Sequence, residues 1–113
     1  VFGGGMRQAG YLAAAGIYAL DNHVERLKED HQRAKLLEKI VSKLDYVDNV
    51  IPVYTNIVIF NLKKDIQAQA YVEKLAAAGI KSSGFGKQAI RFVTHLDYTD
   101  DMLGKTEEIL KKI

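Results

Sequence analysis

The feature that most constrains the fold is an alanine-rich segment, residues 6–20, whose composition predicts a helix with apolar side chains on nearly every side. Such a helix is stable in water only where other parts of a protein cover it. We therefore expect it to pack against another part of a larger protein or against a partner. If that cover is absent, the helix should present an apolar patch to solvent.

A second predicted helix, residues 23–44, has a single apolar face. Spacings of three and four residues alternate along it, which is typical of one helical stripe. The stripe consists of Val24, Leu27, Ala34, Leu37, Val41 and Leu44, with His31 on the same line. We interpret His31 as a core histidine and the intervening charged residues, among them Arg26 and Arg33, as a solvated face.

The remainder of the chain predicts alternating strands and helices. Asp48, Asn49 and Pro52 indicate a break before an almost continuously apolar central strand, residues 55–62, expected to be covered on both faces. The other predicted elements are a helix over 65–78 capped by Asp65 and ended by Gly79, a short strand starting at 80–81, a loop or hairpin at 82–87, a strand at 89–95 and a last helix capped by Thr99.

This order predicts an α+β fold with a small, mostly antiparallel sheet, helices packed on one of its faces, and long helices in front. We divide the chain into residues 1–44, a glycine-rich loop with long connecting helices, and residues 45–113, a small α+β domain.

Charge and cysteine content exclude several classes of function. The 113 residues carry 16 basic and 14 acidic side chains, a net charge of +2, which gives no case for nucleic acid or an anionic membrane surface as a partner. The chain lacks cysteine, so disulfides and thiolate metal sites are excluded, which is compatible with the cytoplasmic location that we predict. Histidines and carboxylates show no metal-ligand spacing.

Three glycines and an arginine precede the first predicted helix. Gly3, Gly4 and Gly5 leave backbone N–H groups uncovered, while the helix start and Arg7 add positive charge, which suits a phosphate or a carboxylate. The alternative is a flexible entry to the helix with a solvated arginine. The residues alone leave both interpretations open.

Arg91 stands inside an otherwise apolar strand. Period-two alternation places it on one sheet face with Val93 and His95, and places Ile90 and Phe92 on the other. A guanidinium there needs an internal acidic partner or serves to bind a ligand carboxylate through two parallel hydrogen bonds. Spacing alone does not decide between the two.

Several segments, taken in order, resemble a known family. They are Gly3-Gly4-Gly5-Met6-Arg7-Gln8-Ala9-Gly10, Ala19-Leu20-Asp21-Asn22-His23, Thr55-Asn56-Ile57-Val58 and Ile90-Arg91-Phe92-Val93-Thr94-His95-Leu96-Asp97. Together they resemble the C-terminal part of the low-specificity L-threonine aldolases of the β-eliminating lyase family. These are pyridoxal-phosphate (PLP) enzymes with the aspartate-aminotransferase fold.

The resemblance implies roles for the residues above. Arg91 would bind the substrate carboxylate, and Arg7 with Gly3, Gly4 and Gly5 would lie near the cofactor phosphate or a subunit interface. The family's Schiff-base lysine belongs to a Ser–x–x–Lys–Gly segment just before the glycine loop, so no catalytic residue is expected in this chain.

For the whole protein the resemblance implies a carbon–carbon lyase that cleaves L-threonine or allo-threonine to glycine and acetaldehyde with PLP. It also implies a homo-oligomer whose N-terminal PLP domain is missing here, so that this chain is a fragment, inactive alone. Two alternatives stay open, a stand-alone α+β interaction module and another β-eliminating PLP lyase.

Overall fold

A computed structural model describes residues 4–113. Its elements, in chain order, are α1 (Ala9–His23), α2 (Leu27–Val41), β1 (Val47–Val50), β2 (Ile57–Leu62), α3 (Ala68–Ala77), β3 (Ser83–Phe85), β4 (Ala89–Val93) and α4 (Asp100–Lys112). The strands form one sheet in the order β1-β2-β4-β3, and every neighbouring pair is antiparallel. The predicted α+β fold is confirmed.

The core lies on one side of the sheet. Val58 and Phe60 of β2 and Ile90 of β4 are fully buried beneath α2, α3 and α4, whereas Ile57 and Val93 on the opposite side are exposed. The prediction that the central strand is covered on both faces is wrong for this chain, because its described helices pack on one face only. The uncovered side is called the open face below.

Helix α1 has no buried residue. Tyr11 is 80% exposed and Leu20 70% exposed, and the described residues extend over 51 × 31 × 26 Å. The expected apolar patch is therefore present, and what covers it stays a prediction. A turn at residues 24–26 separates α1 from α2, so the second helix begins four residues later than predicted.

The core face of α2 differs from the predicted stripe. Asp30, 2% exposed, lies on the line of Ala34, Leu37 and Val41, while His31 is exposed. The interpretation of His31 as a core residue is wrong, because the neighbouring position turns inward and its charge is paired there. The division of the chain at residue 44 stays a prediction, although α2 supplies three apolar side chains to the core shared with the sheet.

Several predicted boundaries were displaced. Strand β1 occupies the segment that we interpreted as a break, and residues 80–81 are not a strand. Of the two alternatives for residues 82–87, a loop or a hairpin, the structure has the hairpin, with β3 inside that segment. Helix α3 begins after Gln67, so Asp65 does not cap it. Two predictions are confirmed. Gly79 ends the α3 region with a φ of 89°, and Thr99 caps the last helix, where its Oγ1 accepts the Met102 N–H at 3.3 Å.

Glu38 of α2 ties the helix to the chain before β2, and this contact predicts a pH effect. Its Oε1 accepts the backbone N–H of Val53 at 2.9 Å, which is the main reason that the pKa of Glu38 is lowered from 4.5. A lowered folded-state pKa stabilises the fold above the unfolded value, and that contribution disappears as the pH falls through the folded-state pKa.

We therefore expect Glu38→Gln to lower the free energy of unfolding by about 1 kcal/mol at neutral pH. The difference from the unsubstituted chain should shrink at a pH well below 4.5, which urea unfolding at the two pH values measures. The exposed Glu108→Gln is the matched control. A loss of equal size at both pH values would contradict the assigned contact.

Candidate functional site

The open face of the sheet carries one cation among apolar side chains. Register places Arg91 of β4 directly between Ile59 of β2 and Ser83 of β3, and directly opposed residues of antiparallel strands point to the same face. The remaining side chains that frame Arg91 on this face are Ile57, Phe85 and Val93, each at least 40% exposed.

Arg91 is exposed and has no acidic partner among residues 4–113. Its Nε donates to Ser83 Oγ at 3.2 Å, the one hydrogen bond of its side chain in the part of the chain that the structure describes. None of the described carboxylates lies within 4.0 Å of its guanidinium. The side chain is thus held at Nε, while its two terminal nitrogens make no hydrogen bond to the described residues.

This geometry suits a bidentate anion. Two parallel N–H groups of a guanidinium match the spacing of two carboxylate oxygens. The apolar neighbours Ile59 and Val93 would lower the local polarity once a second surface covers the open face, and that strengthens an ion pair. Of the two alternatives for Arg91, the internal acidic partner is not found among residues 4–113, and the fork stays open to a ligand carboxylate.

The glycine loop is placed apart from this site. Gly3 lies outside the described residues, whereas Gly4, Gly5 and Arg7 are exposed ahead of α1. Gly4 has a φ of 88°, which favours glycine, but a Cβ added at Gly4 or Gly5 would meet nothing within 4 Å. Among the described residues, no hydrogen bond joins Arg7 to Arg91.

Two features were missed from the sequence. Ser83 was assigned to a loop or hairpin without a pairing partner, although a serine eight positions before Arg91 could have been recognised as its cross-strand neighbour had the strand register been known. The other is an apolar groove of about 460 Å³ on the helix side of the sheet, bordered by Phe92, Tyr98 and Ile109. It lies on the side away from Arg91.

The described residues include no group of three metal-ligating side chains. His95 is exposed, and its Nδ1 accepts the backbone N–H of Asp97 at 3.3 Å, a turn contact. A search of the described helices finds none with the length and apolar character needed to cross a membrane.

Comparison with known proteins identifies the family. A family model described as beta-eliminating lyase matches residues 1–65, more than half of the chain. The chain belongs to the β-eliminating lyase family. The resemblance noted in the sequence is thereby confirmed.

Curated relatives of this lyase-family chain include threonine aldolases. It is 37% identical over 103 residues to the low specificity L-threonine aldolase of Escherichia coli (strain K12), covering 91% of this chain and 29% of the relative. A probable low-specificity L-threonine aldolase 2 of Arabidopsis thaliana is 33% identical over 101 residues, covering 87% and 28%. The chain spans less than a third of the length of these relatives.

Solved structures establish the fold. A complex of the cystine C–S lyase C-DES with cysteine persulfide superposes with a TM-score of 0.72 at 20% identity, covering 93% of this chain and 29% of that one. Plasmodium falciparum ornithine delta-aminotransferase gives 0.62 at 18% identity, covering 78% and 24%. At this identity both comparisons show the fold alone.

PLP does not fit a site made by residues 4–113 alone. A lysine that bonds covalently to this cofactor is held in a protected setting beside it, but each lysine of this chain is exposed. Arg7 and the glycine backbone suit only an anionic group such as a phosphate. The lyase-family chain therefore supplies part of a cofactor site at most.

Proposed function

We propose that this β-eliminating lyase chain is the C-terminal part of a PLP-dependent aldolase that cleaves L-threonine or allo-threonine to glycine and acetaldehyde. Arg91 binds the substrate carboxylate in that enzyme. The names of relatives at 33–37% identity support the reaction. The observation that carries the proposal is the Arg91 guanidinium, which stands on the open face without an acidic partner in residues 4–113.

The role of Arg91 is to bind and orient. Every amino-acid substrate carries an α-carboxylate. A fork of two N–H donors fixes both the position and the plane of that carboxylate. Holding that group fixes the bond to be broken relative to the rest of the site, which is the contribution of orientation to the rate. The cofactor, bound covalently by a lysine outside this chain, would supply the electron sink.

The exposed surfaces of the chain match the partners that we propose. Helix α1 and the open face both present apolar side chains to solvent, including Tyr11, Leu20 and Phe85. We assign them to contacts with the N-terminal PLP domain and with a second subunit of a homo-oligomer. Arg7, Gly4 and Gly5, together with Gly3, would then lie near the cofactor phosphate or the subunit interface. The cytoplasmic location stays a prediction.

The proposal predicts different activities for the chain alone and for the complete enzyme. The 113 residues mixed with PLP and L-threonine should release no acetaldehyde, because no protected lysine is present among those described. The complete enzyme should release acetaldehyde and glycine in equal amounts. An alcohol dehydrogenase assay measures the acetaldehyde released by the chain alone and by the complete enzyme.

Turnover by the chain alone would contradict its assignment as part of a larger enzyme. A complete enzyme that eliminates a β-substituent to yield a keto acid, and leaves threonine intact, would identify another β-eliminating PLP lyase. A chain that sediments as a monomer with α1 packed would favour a stand-alone interaction module.

A further inference from the structure

Ser83 anchors the guanidinium of Arg91. The two residues are direct partners in the β3–β4 register, and Ser83 Oγ accepts the Nε–H at 3.2 Å. The partner of Arg91 on its other side, Ile59, has no polar side-chain atom. Among the described residues, one strand therefore offers the arginine a hydrogen-bond acceptor and the opposite strand offers it only an apolar surface.

Packing behind β3 fixes the position of this serine. Gly84 faces α3, and an added Cβ would be in van der Waals contact with Ala68 Cβ at 3.4 Å and with Val72 Cγ2 at 3.5 Å. The N–H of Ala68 also donates to the carbonyl of Lys87 at 3.0 Å, just beyond β3. A three-residue edge strand is weakly held by one ladder, so these contacts with α3 add to the ladder that pairs Ser83 with Arg91.

The geometry of arginine gives this contact a consequence for binding. A guanidinium has Nε–H on one edge and two terminal nitrogens that form a separate, end-on fork. An acceptor at Nε leaves that fork available and limits rotation of a long side chain. Restricting the side chain before a ligand arrives lowers the entropy lost on binding.

We infer that Ser83 is a positioning residue for the carboxylate site, acting through Arg91 rather than touching the substrate. This inference rests on the proposed role of Arg91. Serine is a poor strand former compared with threonine or valine. On this face, however, its hydroxyl provides the hydrogen-bond acceptor for Arg91 that an apolar side chain would lack.

The test compares Ser83→Ala and Ser83→Thr in the complete enzyme. Loss of the hydroxyl should raise KM for L-threonine roughly fivefold and change kcat by less than about twofold. Threonine keeps a hydroxyl and suits a strand, so Ser83→Thr should restore KM to within about twofold of the original value. A KM unchanged by Ser83→Ala, or a failure of Ser83→Thr to restore it, would overturn the inference.

A double-variant cycle separates this inference from the proposed function. Lysine has no Nε–H, so Ser83→Ala should lower kcat/KM by less than about twofold in an Arg91→Lys background. A full fivefold effect in that background would show that Ser83 acts independently of Arg91 and would overturn the inference alone. If Arg91→Lys by itself left kcat/KM unchanged, the carboxylate proposal would fail, and the role of Ser83 with it.

Discussion

Replacing Arg91 by lysine in the complete enzyme is expected to lower kcat/KM for L-threonine about 100-fold, mostly through KM. Lysine keeps the positive charge but presents a single ammonium group, so the two parallel hydrogen bonds to the carboxylate are lost. Breaking a covered, hydrogen-bonded ion pair costs at least about 2–3 kcal/mol, which corresponds to this factor. Steady-state assays of acetaldehyde release measure it.

The controls separate loss of a ligand contact from loss of charge or fold. Lys74→Gln removes one exposed positive charge from α3 and should leave kcat/KM within about twofold. A substrate analogue in which an amide replaces the carboxylate should bind the original enzyme and the Arg91→Lys enzyme with similar affinity. Near-normal affinity of Arg91→Lys for threonine itself would disprove the carboxylate role.

The side of the sheet on which Arg91 lies could be predicted from the sequence, and its partner could not. Alternation along residues 89–95 placed Arg91 and Val93 on one face and Ile90 and Phe92 on the other, as the structure has them. The two-residue alternation is a property of a single strand, so the face of each side chain can be predicted without knowing the neighbouring strands. The contact with Ser83 depends on the register between β3 and β4. Residues 82–87 were interpreted as a loop or hairpin, which leaves that register undefined.

The errors elsewhere have the same origin in tertiary contacts. Asp48 and Asn49 favour turns locally, yet they belong to β1, where Asn49 Oδ1 accepts from Asn61 Nδ2 of β2 at 2.8 Å. The predicted apolar stripe of α2 did not include Asp30. A hydrophobic period does not show that Arg26 and Arg33 lie beside a buried carboxylate.

Removing the carboxylate of Asp30 is expected to destabilise the fold more than any other change considered on α2. Asp30 accepts two hydrogen bonds from Arg26, at 2.7 and 3.0 Å, and Arg33 lies 3.9 Å away. The side chains of Arg26 and Arg33 are 18% and 14% exposed, so both lie largely against the protein. Asp30→Ala would leave Arg26 without this partner, at a cost of about 2–3 kcal/mol after allowance for its partial exposure.

Asp30 also connects α2 to the residue that follows β4 through its backbone carbonyl, and the substitution leaves this contact in place. Thr94 Oγ1 donates to the Asp30 carbonyl at 2.8 Å, and Arg33 keeps its 2.8 Å contact with Asp100 of α4. The loss in free energy of unfolding should therefore reflect the unpaired charge. The control Asp45→Ala, at an exposed position, should cost less than about 0.5 kcal/mol.

Urea unfolding of Asp30→Ala, Asp45→Ala and the double variant Asp30→Leu/Arg26→Met measures these costs. Because replacing a buried ion pair by apolar groups avoids desolvation, the double variant should recover at least half of the loss. If it is as unstable as Asp30→Ala, the missing stability comes from packing rather than from charge. The ion pairs of Asp30 would then not be what holds α2 in place beside the strand that carries Arg91.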